Sequence, residues 1–154
     1  MAKQSAGILM YRVDKESLEV LIVHPGGPFN SSKDEGAWSI PKGEFEVGEE
    51  TLTTAIREFE EELGSKPPAS EFIRLKPVTQ KAGKVVHAFA VEGDLDTENV
   101  KSNTFEMEWP PRSGKMQEFP EVDRAEWFDI PTARRKLNPS QIALLDELVE
   151  KVGS

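Results

Sequence analysis

Apolar residues recur along the chain with two different periods. Ile8 to Arg12 and Leu18 to His24 are short apolar runs separated by the polar Asp14-Lys15-Glu16-Ser17, a pattern that predicts a β-hairpin. In the second run nearly every position is apolar, as expected of a strand covered on both faces. From Pro25 to Gly36 the chain is rich in Gly, Pro, Asn and Ser and reads as a loop. The period then changes. Leu52, Ala55, Ile56, Phe59 and Leu63 fall at helical spacing, which predicts a helix over Thr51–Leu63. Thr51 is the expected N-cap and Gly64 the left-handed residue that ends it, with Pro67-Pro68 blocking continuation.

Strands are expected over Glu71–Lys76, Lys84–Glu92 and Asn103–Trp109, the last stopped by Pro110-Pro111. A loop carrying Arg112, Gly114 and Lys115 then leads to a final strand over Ala125–Asp129. Two helices follow. Asp129 caps the first, which ends near Leu137. Asn138 caps the second, with Pro139 at its first position, where a missing N–H costs little. Ile142, Leu145, Leu148 and Val149 form its expected buried face. With no internal repeat or compositional break, the reading is one domain over residues 1–154, of the α/β class, with a mixed sheet covered by helices on both faces.

Composition narrows the chemistry. No apolar stretch approaches the ~20 residues of a membrane span, and the start of the chain lacks a signal-peptide pattern, so no membrane partner and a cytoplasmic location are expected. Without cysteine there is no thiolate metal site. A net charge of −9 argues against holding a nucleic acid duplex, which needs a basic footprint. The acid is also concentrated. Between Lys42 and Glu62 lie eight glutamates against Lys42 and Arg57 only, a surplus that calls for a cation.

On a helical wheel Glu58, Glu61 and Glu62 stand at i, i+3 and i+4 and share a face at the edge of the apolar stripe. Three hard oxygen donors held this way suit a divalent cation, which also removes their mutual repulsion. On a bare helix such a pattern is usually a solvated acidic face. The upstream spacing changes that reading. Gly43, Glu49, Arg57, Glu58, Phe59, Glu61, Glu62 and Gly64 match G-x5-E-x7-R-E-U-x-E-E-x-G-U, where U is bulky and apolar. Seven of those positions demand one residue type, and a chance match in a chain of this length is on the order of one in a million. The chain therefore resembles the Nudix hydrolase family. It departs at the last position, where Ser65 replaces an apolar residue.

The resemblance implies a Nudix-type α/β/α sandwich and hydrolysis of a phosphoanhydride bond with Mg²⁺, or Mn²⁺ in its place. It implies Glu58, Glu61 and Glu62 as metal ligands, with the Gly43 carbonyl added from the loop, and Arg57 paired with Glu49 to fix loop against helix. Many members use a further glutamate six residues before a strand-opening tryptophan. Glu121 precedes Trp127 by six. Glu61 or Glu121 would take the proton of the attacking water, with Glu118, Glu106 and Glu108 as competitors. His87 reads as a satisfied core histidine, and His24, near the glycine-rich loop, as a candidate for substrate contact.

Lys42 directly precedes Gly43 and is expected to meet phosphate, with Arg112 and Lys115 extending that contact. Trp38-Ser39-Ile40-Pro41-Lys42-Gly43 resembles the W-x-P-P-K-G stretch of dinucleoside-tetraphosphate hydrolases, with Ile40 in place of the first proline. Dinucleoside polyphosphates and nucleoside triphosphates are therefore ranked first, and ADP-ribose or other nucleoside-diphosphate sugars second. A Nudix fold that holds a nucleotide without turnover is the reading from a different class. Nothing in the residues gives an oligomeric state.

Overall fold

The two apolar runs at the start of the chain form β1 (Gln4–Asp14) and β2 (Ser17–Pro25), antiparallel, with Asp14 opposite Ser17. Lys15 and Glu16 between them both take positive φ, the left-handed pair whose twist matches a two-residue hairpin. The computed structural model describes residues 3–46, 48–68 and 71–153. The chain continues through β3 (Lys42–Phe45), α1 (Thr51–Leu63), β4 (Ile73–Arg74), β5 (Val78–Thr79) and β6 (Val85–Glu92). It closes with β7 (Thr104–Glu108), β8 (Met116–Pro120), β9 (Val122–Asp129), α2 (Ile130–Lys136) and α3 (Ile142–Val152).

One sheet runs in the order β4-β6-β1-β2-β9, with β3 paired to β1 and β5 to β6. Strand β1 is parallel to β6 and antiparallel to β2 and β3, so the sheet is mixed, as expected. Alternation along the central strands divides the core. Ala6, Ile8, Met10, Leu21 and Val23 pack with Ala55, Phe59 and Leu63 of α1. Leu9, Val20 and Ile22 face the other way, toward Leu137, Leu144, Leu145 and Leu148. Helix α1 thus covers one face, and α2 and α3 the other. The near-continuous apolar run in β2 serves both layers.

Several boundaries differ from the sequence reading. Residues 71–76 do not make one strand. Two short pieces, β4 and β5, pair with β6 on either side of Pro77, which has no N–H for the ladder. Glu50, not Thr51, is the N-cap of α1 and makes no side-chain cap, whereas Gly64 ends the helix at φ 80° with its N–H bonded to the Glu60 carbonyl. Asn138 caps a short 3₁₀ turn over Pro139–Gln141 before α3 begins at Ile142. Leu144 is buried on α3 beside Leu145 and Leu148, while Ile142 and Val149 are only half-buried. Strand β8 was not expected. Among the described residues it pairs only with β7, in a separate two-stranded ribbon. Ser65 is exposed and Pro67 buried, so the apolar position missing from the motif is not a core position here.

Candidate active site

Gly43 sits in β3 opposite Ala6, directly beneath α1. A Cβ at this position would lie 2.0 Å from the Glu58 carboxyl carbon, so only glycine lets the Glu58 carboxylate rest on the strand. Lys42 and Glu62 approach the same place from β3 and α1, and Glu121 comes from the bend between β8 and β9. A cleft of about 230 Å³ is lined by Lys42, Glu62 and Glu121 together with Val23, Pro25 and Ile40. Three of the charged residues singled out in the sequence therefore meet there, contributed by three separate stretches of chain.

The electrostatics of this cluster are unbalanced. Glu62 is buried, and burial reinforced by Glu58 and Glu121 pushes its carboxyl up to about 9, against the pull of Lys42. Burial and then Glu61 raise Glu58, and the same two causes raise Glu121, although Glu121 is exposed at the rim. Lys42 is lowered by burial and by Lys84. Glu58, Glu62 and Glu121 are thus held toward their neutral forms, by burial first and by neighbouring carboxylates second.

The donor set fits a hard divalent cation, being all carboxylate oxygen with negative charge in excess. Among the described residues, no three acidic or histidine side chains yet gather closely enough to enclose a metal. Arg57 Nη1 holds Glu61 at 2.8 Å, with Glu58 at 3.3 Å, while its contact to Glu49 is longer, at 3.5 Å. The expected Arg57–Glu49 pair is present, but Glu61 is the nearer partner. Glu49 also accepts the Glu46 N–H, tying down the turn between β3 and α1.

Other residues fall outside the cleft. Arg112, at φ 64°, and Lys115 lie at the tip of the β7–β8 ribbon and do not line it. Glu106, Glu108 and Glu118 are exposed on that ribbon, and Glu108 accepts the Arg112 and Gly114 N–H groups. His24 is buried with its nitrogens engaged by Asp123 (2.8 Å) and the Lys33 carbonyl (2.6 Å), so it fastens a loop and presents no free nitrogen to a substrate. A register shift between His24 and Pro25 leaves Asp123 unpaired in the ladder and free for this bond. His87 is not fully satisfied: Nε2 meets Gln4 Oε1 at 2.6 Å, but Nδ1 has no partner.

Two supporting residues were missed in the sequence. Asn103 donates its N–H to the Glu61 carbonyl and accepts the Glu121 N–H, linking the α1 end of the site to the Glu121 bend. Gln141, fully buried, accepts the Ile40 N–H and donates to Ser39 Oγ, holding the approach to Lys42. No local pattern marks either, because each acts across a large sequence separation.

An α/β/α sandwich with a carboxylate-rich helix over a glycine in a short strand defines a class, and comparison gives the family. The NUDIX domain model matches residues 1–148, and the chain belongs to that family. The enzyme class expected from the motif, a Nudix-type pyrophosphohydrolase, agrees with it. The fold is similar to the NUDIX domain of Shewanella oneidensis NrtR complexed with ADP ribose, at a TM-score of 0.67 and 14% identity, covering 99% of this chain and 89% of that one. It is also similar to a C. elegans Ap4A hydrolase, at a TM-score of 0.66 and 18% identity, covering 96% and 97%. An octanoyltransferase of Myxococcus xanthus is 32% identical over 102 residues, 66% of this chain, and the match spans only 25% of that protein's length. Among the described residues no helix is long and apolar enough to cross a membrane.

Proposed function

We propose that this chain hydrolyses phosphoanhydride bonds in nucleoside-diphosphate-linked compounds, with nucleoside triphosphates and dinucleoside polyphosphates preferred. The observation that carries the reading is the cleft where Lys42, Glu62 and Glu121 converge beside Glu58 on its glycine seat. Nudix hydrolases generally use divalent metals, and Mg²⁺ is the ion proposed here, with Mn²⁺ as substitute. Glu58, Glu61 and Glu62, with the Gly43 carbonyl, would hold it. When bound, such an ion activates water and offsets charge on phosphoryl oxygens.

The chain's own residues divide the remaining work. Lys42 supplies a cation at the cleft for a phosphate beyond those at the carboxylates. Glu121, on the rim with its carboxyl raised, is the proposed acceptor of the water's proton. Arg57 positions Glu61 and Glu58 and is not itself placed against substrate. A cytoplasmic location remains part of the proposal, as does a single domain over 1–154.

ADP-ribose is the second reading, motivated by the ADP-ribose complex of the similar NrtR domain. The test is phosphate or nucleotide release with Mg²⁺ from diadenosine tetraphosphate, ATP and ADP-ribose. The expected order places kcat/KM for either polyphosphate above ADP-ribose, with Lys42→Ala narrowing the gap. A higher kcat/KM for ADP-ribose would reverse the ranking, and binding of all three without turnover would overturn the hydrolase.

A further inference from the structure

We infer that His24 is a positioning residue for Glu121, fixing where the proposed proton acceptor stands at the rim of the cleft. The inference rests on the hydrolase reading above and gives His24 no contact with substrate. It begins with the backbone of Glu121, which is held from two sides. Its N–H donates to the Asn103 carbonyl and its carbonyl accepts the Gly26 N–H, both at 2.9 Å. Gly26 packs so tightly that a Cβ would stand 2.0 Å from the Pro120 carbonyl oxygen, so the loop after β2 closes on this bend only because residue 26 is glycine.

The next rung of the ladder is weak. His24 faces Arg124 and Pro25 faces Val122, so Asp123 is an extra residue in β9 with none opposite. Pro25 also lacks the N–H that would donate across the strands. A bulge beside a missing donor leaves the register loosely specified by the backbone alone. A one-residue slip there would carry Glu121 off the cleft. The side chain of His24 supplies the missing constraint: Nδ1 lies 2.8 Å from Asp123 Oδ1 and ties the extra residue to the strand it does not pair with.

The ring that makes this bond is itself immobilised. His24 is only 3% exposed, the fully buried Trp38 meets it edge to face at 5.3 Å, and Nε2 donates to the Lys33 carbonyl at 2.6 Å. A carbonyl only accepts, so Nε2 carries a proton, and a second proton lies between Nδ1 and the Asp123 carboxylate. The two bonds have separate effects. That to Lys33 fastens the loop, whereas that to Asp123, two residues from Glu121, bears on the bend at the cleft. They are also separable by substitution, because asparagine places its amide nitrogen near the position of Nδ1 and glutamine near that of Nε2.

Steady-state hydrolysis of ATP with Mg²⁺ and amide hydrogen exchange of the metal-free chain test this together. His24→Gln, which gives up the Asp123 bond, should lower kcat about tenfold with little change in KM, the signature of a displaced catalytic group. It should also speed exchange at the Glu121 N–H. His24→Asn, which keeps that bond, should restore both toward the parent. Asp123→Ala, which alters the exposed partner, should reproduce the His24→Gln result with the core untouched. Added to Glu121→Gln, His24→Gln should lower kcat no further, since no acceptor remains to be positioned. Equal losses in His24→Gln and His24→Asn, a parent-like kcat in His24→Gln and Asp123→Ala, or a further loss in the double variant would overturn the inference. So would unchanged exchange at Glu121 in Asp123→Ala. No turnover by the parent, or a normal kcat in Glu121→Gln, would instead count against the reading on which the inference rests, and exchange at Glu121 would still decide whether His24 holds the bend.

Discussion

Glu62 combines burial with two like-charged neighbours, Glu58 and Glu121, and its carboxyl is raised from an ordinary 4.5 to about 9. In the folded chain it keeps a proton that the unfolded chain releases. The stability this contributes is fully present below 4.5 and is lost as pH rises to and through about 9. In metal-free melts Glu62→Gln should therefore raise Tm at pH 8, with the difference shrinking toward pH 5. A variant melting below the parent at every pH would show that the carboxyl is not under this strain. Glu121 differs from its acidic neighbours by lining the cleft, whereas Glu106, Glu108 and Glu118 do not. Glu121→Gln is expected to lower kcat by about 10²-fold, the scale of lost general-base catalysis, and each of the other three substitutions by much less. If one of those three is the most damaging under saturating substrate, the proton acceptor lies on the ribbon.

At the scale of elements, the contact between β3 and α1 depends on one missing side chain. Gly43→Ala would drive its Cβ into the Glu58 carboxylate, which as the end of a flexible side chain must swing off the strand at little cost in stability. Metal binding should weaken while denaturant melts stay close to the parent. Wild-type metal affinity in that variant would place Glu58 elsewhere. Helix α1 was legible because its apolar period, closing glycine and motif spacing agree, and the span Thr51–Leu63 matched. Its start was less so, since Thr51 resembles a cap by type while the chain turns at Glu50. Strand β8 was hidden for a physical reason. Met-Gln-Glu-Phe-Pro buries little, and its pairing is defined by β7 across the ribbon. The glutamates and Gly43 were readable from spacing, but the approach of Arg57 to Glu61 depends on rotamers that spacing does not specify. Gln141 was invisible, since its worth lies in satisfying Ile40 from α3's side of the sheet. Gln141→Leu should cost about 1–3 kcal/mol by leaving that buried N–H unpaired. An unchanged unfolding midpoint would mean that Ile40 finds another acceptor.

Across the whole molecule, the net charge of −9 is tolerable because its densest part is gathered where a cation can answer it. Arg57 already compensates some of it through its contact to Glu61. Metal binding to the folded chain alone should then stabilise it, by about 2.7 kcal/mol at a concentration 100 times Kd. Mg²⁺ is thus expected to raise Tm in the parent and much less in Glu62→Gln, and equal shifts in both would point to a site away from the cluster. The most direct measurement is turnover of ATP or diadenosine tetraphosphate by parent and Glu62→Gln at saturating Mg²⁺. The expected result is Mg²⁺-dependent hydrolysis by the parent, abolished by chelation, and a kcat at least ~10²-fold lower in a still-folded Glu62→Gln. Near-normal turnover by Glu62→Gln would contradict the assignment of the glutamate cluster as the metal-holding catalytic centre.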